Sequence, residues 1–252
     1  MNLEDASAVF GRYVASPDAV NTTIHPNDHM FNTAAQGMKD YMFVGQSGVR
    51  VLLTAAQMCR LTAFGSILDF GCGHGRVGRH LRACWPESKL TFSDLNESCW
   101  KFCAETFQGD GFSSSEDFST LEIPGSYDII WLGSVLTHTD WPKSSKLMEK
   151  LCAALNPNGA IVATFHGRKV YREMKAKPLW AGLGDGGSGL IEHFEADGFG
   201  YGEYPFMKNW GVNLIDWKNM QALTPSENFY LAGVIDTAWA NLHDIGIWCR
   251  RP

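Results

Sequence analysis

The sequence predicts an α/β protein in which a doubly wound, mostly parallel sheet carries helices on both faces. Two observations predict this fold class. Short apolar segments alternate with helix-like segments five times between residues 67 and 166, and a glycine-rich turn joins the first of these strands to its helix. Such alternation is typical of a parallel sheet that is covered by helices on both sides.

Length and composition indicate one globular domain. The 252 residues suffice for a single hydrophobic core, and hydrophobic and charged contents of 45% and 19% are ordinary for soluble proteins. The formal charge of −6 and the lack of a basic run disfavour nucleic acid as a partner. The acidic N-terminus does not resemble a signal peptide, and no apolar stretch is long enough for a membrane span. We therefore expect a cytoplasmic protein without membrane contact, and the oligomeric state is not predicted.

The seven cysteines predict reduced, buried thiols, because their number is odd, no C-x-x-C pair occurs, and most fall in apolar helical contexts. They are Cys59, Cys72, Cys84, Cys99, Cys103, Cys152 and Cys249. The segment H-P-N-D-H at residues 25–29 contains two potential metal ligands, but no cysteine or third histidine is nearby. We expect neither a disulfide framework nor a metal site.

The segment ILDFGCGHGRVGRHL at residues 67–81 is the strongest local signal. It begins as a short apolar strand and ends as a helix with apolar residues four positions apart. Gly71, Gly73 and Gly75 lie between the two, where little side-chain bulk allows a ligand to approach the backbone. A turn of this kind binds nucleotide-like ligands at the carboxyl end of a parallel sheet. A glycine-rich turn without a ligand is the alternative.

Two residues of this turn indicate the ligand class. Arg76 occupies the position where a dinucleotide fingerprint has its third glycine. Asp69 precedes the first glycine by two residues, and its carboxylate would repel a pyrophosphate but attract an ammonium group. S-adenosylmethionine carries an ammonium and a sulfonium group and has no phosphate. The residues therefore favour S-adenosylmethionine, with S-adenosylhomocysteine as its product, over a nicotinamide dinucleotide.

The pattern D-x-G-x-G-x-G resembles the first motif of the class I, Rossmann-like S-adenosylmethionine-dependent methyltransferases. The resemblance covers residues 40–170 by motif and the last forty residues by strand pattern. It implies a seven-stranded sheet with an antiparallel last strand, the final two strands being residues 229–235 and 245–249. It also implies that Tyr41 lies near the methionine end of the cofactor, just before a helix predicted at residues 49–58. A packed aromatic side chain is the alternative.

Asp94 is the predicted ribose ligand. It ends the second strand, residues 89–93, and follows Asp69 by about the interval at which an acidic group meets ribose hydroxyls. A carboxylate there can accept hydrogen bonds from both hydroxyls. Capping of the helix that begins at Asn96 is the alternative.

The third and fourth strands complete the predicted cofactor site. Residues 109–118 should carry the third strand and the adenine contact, for which Ser115 and Glu116 are preferred over Asp110. The fourth strand, residues 127–134, is apolar enough to be buried on both faces. The predicted cofactor-binding residues are Tyr41, Asp69, Gly71, Cys72, Gly73, Gly75, Arg76, Asp94, Leu95, Ser115, Glu116, Leu132, Gly133 and Ser134.

Residues 167–215 break the alternation and predict a substrate cap. Eight glycines between Gly182 and Gly202 argue against a long helix, and aromatic residues such as Tyr171, Trp180 and Trp210 are dense. A long segment of this composition is more often functional than a plain connector. The predicted organisation is a single domain with an N-terminal helical segment (1–58), a cofactor-binding core (60–166), the cap (167–215), and a closing helix and strand pair (216–252).

The predicted reaction is methyl transfer to a small molecule. Alignment of the reactants is the protein's chief task and is worth roughly 7–11 kcal/mol of barrier. A hydroxyl acceptor needs a base, and His138 is the first candidate, His166 the second and His193 the third. O-methylation is favoured over N-methylation, because no N-P-P-Y-like tetrapeptide follows the fourth strand; C-methylation stays open. A nicotinamide-dependent oxidoreductase or epimerase and a non-catalytic S-adenosylmethionine-binding module are the alternatives.

Overall fold

The computed structural model describes residues 3–33, 36–61, 64–177, 182–183 and 186–251. Its strands are β1 Ser66–Phe70, β2 Lys89–Asp94, β3 Asp110–Ser113, β4 Tyr127–Leu132, β5 Leu155–Phe165, β6 Phe199–Tyr204, β7 Met207–Ile215, β8 Phe229–Trp239 and β9 His243–Arg250. Its helices are α1 Leu3–Ala15, α2 His29–Asn32, α3 Met38–Met58, α4 Gly78–Cys84, α5 Glu97–Phe107, α6 Trp141–Ala153, α7 Arg168–Ala176, α8 Gly186–Asp197 and α9 Trp217–Ala222.

Seven strands form one mixed sheet in the order β3-β2-β1-β4-β5-β9-β8. The first five of these are mutually parallel, and β9 is antiparallel to both of its neighbours, β5 and β8. This confirms the predicted fold class and the antiparallel last strand. Because β1 pairs with both β2 and β4, the strand order reverses there, and ligands of such sheets bind at that point beyond the carboxyl ends of the strands.

Alternate residues of the central strands are buried in two different cores. Ile67 and Ile129 pack with α3, α4 and α5 on one face, whereas Leu68 and Ile130 pack with α6 and α9 on the other. All four side chains are fully buried. Burial on both faces explains why these strands are continuous apolar runs in the sequence.

Helix α3 is longer than predicted. It begins at Met38, so Tyr41 and Gly45 lie inside it and do not precede it. The reason is packing: a Cβ at Gly45 would lie 2.1 Å from the Arg76 carbonyl oxygen and 2.3 Å from the His80 ring. Glycine is therefore required there for close contact between α3 and the segment that follows the glycine turn, and it does not mark the entry of the helix.

The cap contains more regular structure than its glycine content predicts. Helices α7 and α8 precede an antiparallel hairpin of β6 and β7, which does not join the main sheet. The cap has a small core of its own, formed by Val170, Met174, Leu183, Leu190, Val212 and Leu214. The expectation of no long helix was wrong for α8, which spans 12 residues and begins at Gly186. Trp180 lies outside the described residues.

The cysteine prediction was wrong for one pair. Cys59, which follows α3, and Cys249 of β9 form a disulfide, with Cα atoms 6.1 Å apart. Their 190-residue separation in sequence gave no signal of this proximity. The other five cysteines are free and buried, as predicted.

In the part of the chain that the structure describes, no helix is both long and apolar enough to cross a lipid bilayer.

Candidate active site

A cavity of about 340 Å³ opens beyond the carboxyl ends of β1, β2 and β4. Its volume lies within the range of small-molecule sites. The glycine turn, the ends of β2 and β4, the N-terminal segment and the cap all contribute to its wall. The sheet topology therefore brings together residues that are more than 200 positions apart in sequence, such as Asp28 and Trp239.

Two of the three turn glycines, Gly73 and Gly75, have different roles. All have positive φ, at +75° for Gly71, +51° for Gly73 and +77° for Gly75. A Cβ at Gly73 would meet nothing within 4 Å, because this residue faces open space beside the cavity. A Cβ at Gly75 would lie 2.2 Å from the Phe107 ring, and Gly75 does not line the cavity. Gly73 thus leaves room for a ligand, whereas Gly75 allows the turn to pack on α5.

Asp94 ties the glycine turn to the end of β2. Its Oδ2 accepts from the Gly73 amide at 2.9 Å, and its Oδ1 accepts from the Asn96 amide at 2.9 Å. The cap of α5 is Asn96, whose own side chain accepts from the Ser98 amide at 3.0 Å. The capping alternative is therefore wrong for Asp94, which lines the cavity beside Leu95 and keeps free lone pairs for a ligand.

Asp69 is the most unusual group in the cavity wall. Its side chain is only 2% exposed, and its Oδ2 has no hydrogen-bond partner among the described residues. Burial, and then the charge of Asp94, raise the pKa of Asp69 to about 7. A cation that entered the cavity would supply the missing partner and favour the ionised carboxylate. The residue thus fits the ammonium group of S-adenosylmethionine.

Arg76 brings a positive charge to the same cavity. Its guanidinium carbon lies 5.3 Å from the centre of the Trp239 ring, and both residues line the cavity. Trp239 in turn meets Trp131 edge to face at 5.5 Å. Burial lowers the pKa of Arg76, and the charge of Asp28 opposes this shift. The wall on this side is therefore aromatic with one cation.

The N-terminal segment supplies residues that sequence analysis missed. Asp28 and Met30 line the cavity, and His25 stacks on His74 of the glycine turn with ring centres 4.2 Å apart. Tyr41 is fully buried and does not line the cavity, but its hydroxyl donates to Asp28 Oδ2 at 2.5 Å. The H-P-N-D-H pattern at residues 25–29 is the sequence signal that marks this segment.

The residues predicted for the adenine contact lie outside the cavity. Ser115 Oγ accepts from the Asp117 amide at 3.2 Å, within its own loop, and Glu116 is exposed. Ser114 and Phe118 line the cavity in their place. Strand β3, Asp110–Ser113, lies within the predicted range, and the loop that follows it places Ser114 and Phe118 at the cavity but not the residues between them. Asp110, the other candidate, is exposed and paired with Lys89.

The end of β4 forms another part of the wall. Gly133 and Ser134 line the cavity, while Leu132 is fully buried in the core and does not. Ser134 has a positive φ of +64°, and its amide donates to Thr164 Oγ1 at 2.7 Å. Its hydroxyl lies 3.3 Å from His243 Nε2. Hydrogen bonds from β5 and β9 therefore fix this strained residue at the cavity.

His138, the first predicted base, lines the cavity. Its Nδ1 lies 2.9 Å from the Gly211 carbonyl oxygen of β7. Since a carbonyl only accepts, Nδ1 carries the proton, and Nε2 of the neutral ring has the lone pair. Burial lowers the pKa of His138, so the ring is neutral at pH 7. The residue is thus in the state that a general base requires.

The other two histidines are placed differently. His166 is 4% exposed and does not line the cavity; its ring centre lies 6.3 Å from that of His138. Its Nδ1 donates to the Asn213 carbonyl oxygen at 3.2 Å. His193, on α8, is exposed. The structure therefore places one predicted base, His138, directly at the cavity.

One known protein family matches the part of the chain that forms the core of this site. Residues 67–159 match a family model described as a methyltransferase domain. The match extends from β1 into β5 and includes the glycine turn, Asp94 and the end of β4. It confirms the resemblance predicted from the turn and the enzyme class that the resemblance implies. No curated protein matches the sequence.

Solved structures share the fold at low identity. An S-adenosylmethionine-dependent methyltransferase from Clostridium acetobutylicum gives a TM-score of 0.56 at 12% identity, over 82% of this chain and 92% of that one. An O-methyltransferase family protein from Burkholderia thailandensis gives 0.55 at 11%, over 98% and 70%. A 1,6-didemethyltoxoflavin-N1-methyltransferase from the same organism, with bound S-adenosylhomocysteine, gives 0.55 at 13%, over 98% and 89%.

Proposed function

Because residues 67–159 match a family model described as a methyltransferase domain and lie on a Rossmann-like sheet, we propose that this protein transfers the methyl group of S-adenosylmethionine to a hydroxyl of a small molecule. The observation that carries the proposal is the buried Asp69 carboxyl group in the cavity wall, whose Oδ2 has no partner among the described residues. A buried polar atom without a partner costs free energy, so a site that keeps one is suited to a ligand that satisfies it.

The cofactor would occupy the side of the cavity formed by the glycine turn and the end of β2. Asp69 would hold the ammonium group, and the open space at Gly73 would admit the ligand against the backbone. Asp94 would accept from the ribose hydroxyls with the lone pairs that Gly73 and Asn96 leave free. When bound, S-adenosylmethionine supplies a methyl group activated by its sulfonium.

The acceptor would occupy the aromatic side of the cavity, between the end of β4 and the cap. Trp131, Trp210 and Trp239 line this side and suit an apolar or aromatic molecule. The indole Nε1 of Trp210 is buried without a partner among the described residues, and it can donate to an oxygen. His138 Nε2 would take the hydroxyl proton, and this favours O-methylation over N-methylation.

Calorimetric titration of S-adenosylhomocysteine into the wild type and Asp94→Ala tests the cofactor site. We expect micromolar binding to the wild type and at least a tenfold loss in the variant, because both ribose contacts and the bond to the Gly73 amide disappear. Asp128→Ala is the matched control. Asp128 also accepts two hydrogen bonds, from Ser66 and Asn156, but it lies at the start of β4, away from the cavity.

Titration of NAD tests the oxidoreductase alternative. NAD binding in place of S-adenosylhomocysteine would contradict the proposal.

The non-catalytic alternative predicts S-adenosylhomocysteine binding without turnover. We therefore expect radioactive methyl transfer from S-adenosylmethionine to at least one member of a panel of phenols and other small hydroxylated molecules, and loss of this transfer in His138→Gln. Failure of every acceptor in the panel would favour the binding module.

A further inference from the structure

One edge of the cap hairpin is bonded to the ends of two sheet strands. Strand β7 pairs with β6 along its other edge, in a register that places Asn213 opposite Tyr201. The carbonyls of Gly211 and Asn213 accept from His138 and His166, and the Ile215 amide donates to the His166 carbonyl at 3.0 Å. Residues two apart on a strand direct their backbone groups to the same side. This edge of β7 therefore provides hydrogen-bond acceptors for the rings of both His138 and His166.

The Asn213 side chain strengthens this contact at the turn that carries His138. Its amide nitrogen donates to the carbonyls of Leu136 and Thr139 at 2.5 and 2.7 Å. These two residues flank His138 in the 3-10 turn Leu136–His138 and just after it. The side chain is 2% exposed, so water does not replace these bonds. One buried amide thus holds both sides of the turn against β7.

We propose that Asn213 is a positioning residue for His138: by holding its turn on β7, it keeps the ring bonded to Gly211 through Nδ1–H and leaves Nε2 as the proton acceptor. This inference rests on the proposed role of His138 as the base. Asn213 does not line the cavity and acts only through the turn. Neutral histidine has two tautomers, and the bond of one nitrogen decides which is present.

Other groups near His138 do not replace this contact. The Tyr204 hydroxyl lies 3.1 Å from the same Nδ1, and it can share the proton that Gly211 accepts. His166 and His243 are the titratable groups behind the ring, and burial lowers the pKa of each of them too. Asn213 differs from these groups in that its side chain donates two hydrogen bonds to the backbone of the turn.

Nuclear magnetic resonance of ¹⁵N-histidine-labelled protein tests the proposal without a known acceptor. Long-range ¹H–¹⁵N correlations report the tautomer and pKa of each ring, and the signal missing from His138→Gln identifies His138. We expect the wild type to hold the Nδ1–H tautomer with a pKa below 6.5. In Asn213→Ala we expect a mixture of tautomers and a higher pKa than in the wild type, because the released turn admits water to the ring.

Two further variants complete the design. Asn213→Ser keeps one donor and should give an intermediate shift, and it carries the test if the alanine variant does not fold. Asn219→Ala is the matched control, because the Asn219 amide also donates twice, to Asp197 and Asp216, but at the start of α9. Its His138 signal should equal that of the wild type.

Titration with S-adenosylhomocysteine separates this inference from the proposed function. We expect the dissociation constant of each Asn213 variant to stay within twofold of the wild type, because Asn213 does not line the cavity. An Nε2–H tautomer in the wild type, or an unchanged His138 signal in a folded Asn213 variant, would overturn the positioning role. Absence of binding to the wild type would instead contradict the cofactor assignment.

Discussion

At the scale of single residues, the cavity wall contains two neighbouring carboxyl groups, and the burial of one of them lowers the stability of the fold. Asp69 is buried beside Asp94, and its Oδ2 has no hydrogen-bond partner among the described residues. A group whose native pKa lies above its unfolded value binds more protons in the folded state. The free energy of unfolding therefore falls as pH rises from about 4 to about 7. If Asp69 binds the ammonium group as proposed, ligand binding offsets this loss of stability.

We predict opposite effects of Asp69→Asn on stability and on binding. A raised pKa of about 7 corresponds to a cost of about 4 kcal/mol at pH 8, so the variant should gain about 1–3 kcal/mol of unfolding free energy there and little at pH 4. Loss of a charge-assisted hydrogen bond should weaken S-adenosylhomocysteine binding about 10- to 100-fold. Urea unfolding at both pH values and calorimetry measure the two effects.

The pH dependence of S-adenosylhomocysteine binding to the wild type tests the same proposed role of Asp69. Protonation of Asp69 would remove the charge that we propose to hold the ammonium group, so affinity for S-adenosylhomocysteine should decrease as pH falls from 8 to 6. The Asp69→Asn protein should lack this dependence. Equal affinities of both proteins at pH 8 would contradict the assigned role of Asp69.

At the scale of elements, one turn combines a ligand surface with a packing surface. Gly73 faces open space, and Gly75 packs on the Phe107 ring of α5, although both have left-handed backbone. The same substitution at the two positions therefore separates binding from folding.

We predict that Gly73→Ala costs about 1–2 kcal/mol of stability, from backbone strain alone, and abolishes S-adenosylhomocysteine binding. Gly75→Ala carries the same strain and an overlap with Phe107, so it should cost about 2–5 kcal/mol. Urea unfolding and calorimetry of both variants provide the comparison. Equal losses of stability would show that the Phe107 contact relaxes freely.

The glycine turn was predictable from sequence because its signal is local. Strand, turn and helix follow one another within residues 67–81, and each glycine and Asp69 can be recognised by position. The start of α3 was not predictable, since Gly45 is explained only by its contact with Arg76 and His80, more than thirty residues away. Asp28 was missed for the same reason: its place in the cavity depends on the bond from Tyr41 and on folding of the N-terminal segment over the turn.

At the scale of the whole molecule, the disulfide joins the N-terminal helical segment to the antiparallel part of the sheet. Cys59 follows α3, and Cys249 lies in β9, whose neighbour β5 is part of the parallel half. The link closes a loop of 190 residues. Cross-linking of a long loop restricts the unfolded chain more than that of a short one.

We predict that Cys59→Ser lowers the free energy of unfolding by about 2–4 kcal/mol. S-adenosylhomocysteine binding should not change, because neither cysteine lines the cavity. Urea unfolding with and without a reductant tests this: the reductant should destabilise the wild type and leave the variant unchanged. A wild type that is indifferent to the reductant would indicate that the link is absent in solution.

The cap was the least predictable part of the molecule. Its composition predicted a cover over the substrate, but the contacts of β7 with His138 and His166 join segments 47 to 73 positions apart. Such pairings leave no periodic trace in the sequence. The strand pair at the end of the chain was predictable, because each strand contains a short apolar run, although β8 and β9 extend beyond these runs to 11 and 8 residues.

The separate core of the cap has a consequence for how such a protein diversifies. The six side chains of that core pack with one another, and they belong to neither core of the main sheet. Insertions or exchanges in α7 or α8 can therefore accumulate without loosening the glycine turn or Asp94, whereas the hairpin packs Trp210 and Ile215 into a core of the main sheet. As long as β7 keeps its backbone carbonyls beside His138 and His166, these two helices can change while the glycine turn and the end of β2 stay the same.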